Sequence, residues 1–68
     1  MMTIAIGRID DPYDGPWYQV GAWDENGRLL AEHDAGGFDS LAEAREAAER
    51  WAEDWRAEGR NVVVELDD

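Results

Sequence analysis

The sequence predicts a small α+β domain in which four strands and one helix follow the order β-β-β-α-β. Three observations lead to this fold class: short runs rich in β-branched and aromatic residues, an Asn-Gly pair between two of those runs, and one stretch in which apolar residues recur every three or four positions. A chain of 68 residues is long enough for a single domain, residues 1–68, with one small core.

The first two strands lie on either side of an acidic loop. Residues 3–9 are rich in β-branched side chains and predict the first strand. Residues 10–16 contain two prolines and three aspartates, so they are expected to form a loop. Residues 17–24 alternate in polarity and predict the second strand.

A tight hairpin is predicted between the second and third strands. Asn26-Gly27 is a preferred pair for a two-residue type I′ turn, and the third strand then covers residues 28–34. Because the length of a hairpin loop fixes the strand register, this turn places Trp23 opposite Leu30 on one face of the sheet.

A helix is predicted over residues 41–58. Ser40 and Glu43 have the spacing of a capping box, and Gly59 is the residue type that commonly ends a helix. Small and aromatic side chains recur along one side of this helix: Leu41, Ala44, Ala48, Trp51 and Trp55. Such a stripe normally faces the protein interior, so the two tryptophans are expected to pack in the core rather than to form a binding patch.

The last strand is predicted over residues 61–66. A right-handed crossover through the helix makes this strand parallel to the first strand, beside which it can pair. The expected architecture is therefore a four-stranded mixed sheet of spatial order 3-2-1-4, with the helix packed on one face and the other face uncovered.

The uncovered sheet face carries three large apolar side chains, Trp17, Trp23 and Leu30. Single exposed apolar residues are common in monomeric proteins, and in one interpretation the loop at residues 10–16 shields part of this group. Alternatively, two tryptophans and a leucine inside a polar rim are typical of an interface hot spot. Partner binding or homodimer formation through this face is therefore an open alternative.

Charge is the most unusual global property of the chain. Seventeen acidic residues oppose six arginines, and the formal net charge is -11. This excess disfavours direct binding to nucleic acid and favours a basic protein partner, although it could also serve only to keep the protein soluble. Six acidic residues lie on the predicted outer helix face and form the expected partner-binding surface: Glu43, Glu46, Glu49, Glu53, Asp54 and Glu58. Carboxylates along a helix can take the place of phosphates.

The residues needed for catalysis or metal binding are scarce. His33 is the only histidine, Ser40 is the only serine and is expected to cap the helix, and cysteine is absent. The aspartate-rich loop does not match a calcium-binding loop, because Pro12 and Gly21 fall at positions that must supply oxygen ligands. No enzyme activity, catalytic residue, metal or cofactor is therefore expected.

The first residues, MMTIAIGRID, lack the basic segment and long apolar run of a secretory signal. No stretch approaches the length of a membrane span. A cytoplasmic location without membrane contact is therefore expected.

Residues 17–49 resemble small bacterial and phage domains of the HicB-like antitoxin type. Those domains combine an antiparallel hairpin, a glycine-bearing link and a helix that opens with Ser or Thr and a Glu-Ala pair. The corresponding segment here reads Gly37-Phe38-Asp39-Ser40-Leu41-Ala42-Glu43-Ala44. The resemblance covers about half of the chain and implies a non-catalytic module that binds and blocks a protein.

The sequence as a whole favours a non-enzymatic acidic protein-binding module. The specific expectation is a small inhibitor, of the phage anti-defence or antitoxin type, that masks a basic nucleic-acid-handling surface of a partner by charge mimicry. The alternative is a structural or self-associating domain that dimerises through the aromatic sheet face.

Overall fold

The computed structural model describes residues 1–33 and 36–67, with Asp67 described by its backbone alone. The elements are β1 (Met2–Asp11), β2 (Gly15–Trp23), β3 (Leu29–Glu32), α1 (Leu41–Ala57) and β4 (Val62–Asp67). The strands form one sheet of order β3-β2-β1-β4, in which β1 pairs antiparallel with β2 and parallel with β4. The helix packs on one face, so the predicted α+β architecture is confirmed.

The predicted loop at residues 10–16 is largely strand. Asp10 and Asp11 extend β1 and pair with the first residues of β2, which leaves a turn over residues 12–14. The Asp11 carboxylate accepts hydrogen bonds from the backbone N–H groups of Tyr13 at 2.8 Å and Asp14 at 3.4 Å. An aspartate that bonds to the backbone two residues later forms a compact turn, and this explains why the loop is short.

The turn between β2 and β3 contains three residues rather than the predicted two. Asp24 donates its N–H to the Arg28 carbonyl at 2.9 Å, and its own carbonyl accepts from the N–H of Gly27 at 3.1 Å. Gly27 has φ of 81°, and no described residue other than glycine has positive φ. Asn26 therefore cannot hold the conformation of a type I′ turn. The turn is a type I turn followed by a left-handed glycine.

The longer turn shifts the register of β3 by one residue. Trp23 pairs with Leu29, and an irregularity between Ala22 and Trp23 restores the predicted pairing of Ala22 with Ala31. Leu30 is the additional residue within this irregularity. The prediction that Leu30 lies opposite Trp23 is therefore wrong, and Leu29 takes that position. The predicted strand at 28–34 is reduced to Leu29–Glu32, and residue 34 lies outside the described residues.

The helix begins and ends close to its predicted bounds. The Ser40 hydroxyl accepts a hydrogen bond from the N–H of Glu43 at 3.1 Å, as expected for an N-cap. At the other end, Gly59 has φ of 90° and donates its N–H to the Arg56 carbonyl at 2.9 Å. Glycine adopts this left-handed conformation at little cost, and it therefore stops the helix cleanly.

Three alanines form the part of the helix closest to the sheet. Ala44, Ala48 and Ala52 are fully buried, whereas Trp51 and Trp55 are partly buried and pack against the same core. The sheet contributes the remaining buried side chains: Met2, Ile4, Ile6, Val20, Ala22 and Val62. The expectation that the two tryptophans occupy the core holds in part. Alanines let the helix lie close to the sheet, and the larger indoles close the margin of the interface.

An aromatic row closes one flank of the interface between α1 and the sheet. The His33 ring lies edge-on to Trp51 at 5.2 Å and to Phe38 at 5.5 Å, and the rings of Trp51 and Trp55 are 6.1 Å apart. The guanidinium of Arg60 lies 5.2 Å from the centroid of the Trp55 ring. These contacts join the end of β3, the segment before the helix and the end of the helix. Among the described residues, no helix is long and apolar enough to cross a membrane.

Candidate functional site

The outer surface of α1 presents the predicted acidic face to solvent. All six carboxylates are exposed: Glu43, Glu46, Glu49, Glu53, Asp54 and Glu58. Two of them are neutralised along the helix, Glu46 by Arg50 at 2.6 Å and Glu53 by Arg56 at 2.8 Å. The other four form no ion pair with any residue that the structure describes.

The unpaired carboxylates are not spread evenly around the helix. At about 100° per residue, Glu43, Asp54 and Glu58 fall within an arc of about 60°, on the flank beside Trp51. Glu49 lies on the opposite flank. Because α1 is 17 residues long, or about 25 Å, this unpaired acidic flank has Glu43 near the beginning of the helix and Asp54 and Glu58 near its end.

The two tryptophans of the open sheet face lie at opposite ends of β2. Trp17 and Trp23 are six residues apart on one strand, which corresponds to about 20 Å. A Cβ built on Gly37 would meet Trp17 Cε3 at 2.9 Å, and one built on Gly21 would meet Trp23 Nε1 at 3.3 Å. Each indole thus packs over its own glycine. The predicted single cluster of Trp17, Trp23 and Leu30 is therefore divided among three places.

The first place is a shallow groove of about 250 Å³ beside Trp23. Its floor includes Gly7 and Gly21, and its walls include Trp23, Leu29 and Glu32. Leu29 was not among the predicted site residues. The acid at position 24, which favours a type I turn, was the signal in the sequence that could have identified it.

The second place is a cleft of about 210 Å³ at the end of the sheet, where Leu30 lies with Met2 and Arg60. Leu30 is 40% exposed there. It therefore does not contribute to the face on which Trp23 and Leu29 lie.

The third place is the largest of these openings, a cleft of about 610 Å³ beside Trp17. Two segments line it, the β1–β2 turn and the residues just before α1. The apolar residues that line it are Pro16, Trp17 and Phe38, and the acidic residues that line it are Asp11, Asp14 and Asp39. We refer to it as the Trp17 cleft.

The Trp17 cleft depends on a contact between distant parts of the chain. The N–H of Tyr18 donates to the carbonyl of Phe38, and the N–H of Phe38 donates to the carbonyl of Tyr18, both at 2.8 Å. This isolated bridge brings residues 37–39 beside the beginning of β2. The sequence identified Trp17 and the acidic loop but not this pairing, and so it did not place Asp39 near them.

The other candidates for chemistry have structural roles. The Ser40 hydroxyl caps α1, and the His33 ring contacts two aromatic side chains. Within residues 1–33 and 36–67, no group of three or more histidine, aspartate or glutamate side chains is arranged to hold a metal ion.

No family model, no curated protein and no solved structure matches the chain. Its function is therefore inferred from the surfaces described above.

Proposed function

We propose that the protein is a non-enzymatic inhibitor that acts in the cytoplasm and covers a basic, nucleic-acid-handling surface of a partner protein with the acidic face of α1. The observation that carries this proposal is the row of unpaired, exposed carboxylates along a helix that is capped at both ends. The net charge of -11 acts in the same direction, because it attracts basic partners and repels nucleic acid.

The spacing of the carboxylates supports mimicry of a phosphate backbone. Four residues of helix advance about 6 Å, so Asp54 and Glu58 span nearly two phosphate steps of one DNA strand, which advance about 3.4 Å each along the axis. The fixed helix carries these charges without the ordering cost of a flexible acidic tail. A partner groove shaped for phosphates would therefore meet two negative charges at about this interval near the end of the helix, and a third, Glu43, about 16 Å away near its beginning.

The resemblance to HicB-like antitoxins implies the same kind of activity, a small module that blocks another protein. An inhibitor of host defence encoded by a phage would require the same surface. In both cases the partner is a basic protein, and its nucleic-acid site is the surface that is covered.

The proposal is tested by capture of a partner on the immobilised protein from a lysate of the native host, followed by competition with nucleic acid. The expected partner binds DNA or RNA, and addition of this protein displaces that nucleic acid. Binding should weaken steeply as salt rises, because the contacts are between charges. A partner that binds this protein and nucleic acid at the same time would exclude masking.

A charge-matched pair of variants locates the surface. Neutralising Glu43, Asp54 and Glu58 to the corresponding amides should weaken partner binding at least tenfold, whereas neutralising Asp10, Glu25 and Glu65 should have little effect. Both triple variants change the net charge equally, and all six side chains are exposed. Equal losses in the two variants would show that total charge, rather than the helix face, controls binding.

Self-association is the second candidate, and the partly exposed pair of Trp23 and Leu29 favours it. A dimer formed through this pair would depend on apolar contact and would respond little to salt. Sedimentation of Trp23→Ala beside the parent protein tests this candidate. A dimeric parent and a monomeric variant would support it, and a parent that sediments as a monomer at all concentrations would exclude it.

A further inference from the structure

The Trp17 cleft combines an apolar wall with unmatched negative charge. Pro16, Trp17 and Phe38 supply the apolar surface, and the opening of about 610 Å³ is large enough for a long side chain from another molecule. Asp14 and Asp39 are exposed and form no ion pair with any described residue. The described residues that line the cleft include no arginine or histidine, so none of them places a cation in it.

The walls of the cleft are held in place before any ligand arrives. The Trp17 indole rests against Gly37, where a Cβ would meet the ring at 2.9 Å. The backbone of Phe38 is fixed by two hydrogen bonds to Tyr18, both 2.8 Å long. One oxygen of the Asp11 carboxylate accepts hydrogen bonds within the β1–β2 turn. Because these groups are already ordered, binding of a ligand would not carry the entropic cost of ordering them.

We infer that the Trp17 cleft receives an arginine side chain of the basic partner. A guanidinium is flat enough to stack on an indole, and its five N–H donors can reach carboxylates on more than one side of the cleft. A lysine ammonium is a compact, strongly hydrated point charge that matches a stacked site less well. A cleft that is lined by three aspartates and by an indole therefore fits the chemistry of arginine.

The position of the cleft connects it to the acidic face of α1. Asp39 lines the cleft immediately before the helix cap Ser40, and Glu43 lies in the first turn of the helix. One basic partner can therefore contact the helix with its charged surface and insert one arginine as an anchor at the end of that contact. Arginine is enriched among the residues that contribute most to binding at protein interfaces. This inference rests on the proposed function for the identity of the partner but not for the chemistry of the cleft.

The cleft can be tested without the partner. The full chain, labelled with ¹⁵N, is titrated with three capped peptides, acetyl-Gly-X-Gly-amide, in which X is arginine, lysine or the neutral isostere citrulline. The four tryptophans give four indole N–H signals, of which those of Trp23, Trp51 and Trp55 serve as internal controls. The arginine peptide should shift the Trp17 indole signal and the backbone amides of Asp14 and Asp39.

The expected affinity is millimolar, since a single side chain supplies the contact, and citrulline and lysine should each bind at least about fivefold more weakly than arginine. Asp14→Asn combined with Asp39→Asn should weaken arginine binding by a similar factor. Both side chains are exposed, and unchanged signals elsewhere in the spectrum would show that this variant folds normally.

The inference is overturned by equal binding of the three peptides, by shifts centred on Trp23, by an unchanged affinity in the double variant, or by no shift at about 20 mM arginine peptide. The variant that neutralises Glu43, Asp54 and Glu58 should still bind the peptide. The two proposals therefore fail separately. A partner that does not bind nucleic acid would contradict the proposed function but not the arginine site. A peptide titration without chemical-shift changes would contradict the arginine site but not the proposed function.

Discussion

Gly37 provides the surface on which the Trp17 ring rests. A Cβ at this position would lie 2.9 Å from Cε3 and 3.2 Å from Cζ3 of that ring. The φ angle of Gly37 is not positive, so an alanine could adopt its backbone conformation. The position therefore requires glycine for space. Any side chain there would move the indole that forms one wall of the Trp17 cleft.

Gly37→Ala is expected to lower the free energy of unfolding by about 1–3 kcal/mol, because an added methyl group must displace a packed ring. Gly7→Ala is the matched control. Gly7 also has no positive φ, and a Cβ there would meet nothing within 4 Å. That change should be neutral or should stabilise the protein by up to about 1 kcal/mol by restricting the unfolded chain. Urea unfolding of both variants checks the difference, and equal effects would contradict it.

Trp55 buries a hydrogen-bond donor that has no acceptor. Its Nε1 is the only buried side-chain nitrogen or oxygen without a hydrogen-bond partner in the described part of the chain. Such a donor costs about 1–3 kcal/mol in the folded state. Trp55→Phe removes this donor together with part of the ring, and Trp51→Phe removes the same atoms at a neighbouring site. Trp55→Phe should therefore lower the free energy of unfolding by about 1 kcal/mol less than Trp51→Phe does. Chemical unfolding of the two variants compares these costs, and the reverse order would contradict the explanation.

At the scale of the secondary-structure element, the positions of the small residues in α1 determine how closely the helix packs on the sheet. Ala44, Ala48 and Ala52 are fully buried along the line of closest approach to the sheet. A larger side chain in this line would push the helix away from the strands, and it would reduce the contacts of Trp51 and Trp55 at the margin. The closeness of the packing is therefore a property of the whole element.

Ala48→Leu is expected to destabilise the protein by about 1–3 kcal/mol through overpacking. Ala42→Leu, on the exposed side of the first turn, should change stability by less than about 0.5 kcal/mol, because leucine and alanine have similar helix propensities. Thermal unfolding followed by circular dichroism tests the pair. If Ala48→Leu were tolerated as well as Ala42→Leu, the helix could not be packed as closely as described.

The elements differ in how far the sequence predicted them. The helix could be predicted to within a residue because its limits are set locally by the Ser40 cap and by Gly59. The prediction of a two-residue hairpin turn was wrong because the Asp24 carboxylate accepts hydrogen bonds from the N–H groups of Asn26 and Arg28, both at 2.9 Å. This side chain stabilises a three-residue turn over the two-residue turn that the Asn-Gly pair favours.

The candidate sites show the same division between local and distant interactions. The acidic helix face follows from the helical period alone, and the structure places all six of its carboxylates in solvent. The Trp17 cleft requires the backbone pairing of Tyr18 with Phe38, which are 20 residues apart in the chain. No local pattern predicts that pairing. The separation of Leu30 from Trp23 likewise follows from a register shift that only the folded hairpin displays, whereas the distance between Trp17 and Trp23 follows from their spacing along β2.

At the scale of the whole molecule, charge density governs how the protein responds to salt. A net charge of -11 is held within a body of 40 × 22 × 17 Å. The screening length is about 30 Å at 0.01 M salt and about 10 Å at 0.1 M, so almost all of the carboxylates repel one another in the more dilute buffer. This repulsion opposes the compact state.

Raising NaCl from about 0.01 M to about 0.3 M is therefore expected to increase the melting temperature by several degrees. Neutralising Glu43, Asp54 and Glu58 should raise the melting temperature at low salt and flatten its dependence on salt. Differential scanning calorimetry at several ionic strengths measures both effects. A melting temperature that falls with added salt would mean that the ion pairs along α1 outweigh the repulsion.

The parallel pairing of β1 with β4 joins the first of the four strands to be synthesised to the last of the four. Until β4 has emerged, the central strand β1 lacks a neighbour on one side, and the core has no Val62 to complete it. The four-stranded sheet therefore cannot be completed while the ribosome is still synthesising the helix. A nascent chain stalled at that point would expose the backbone edge of β1 that β4 covers in the folded protein.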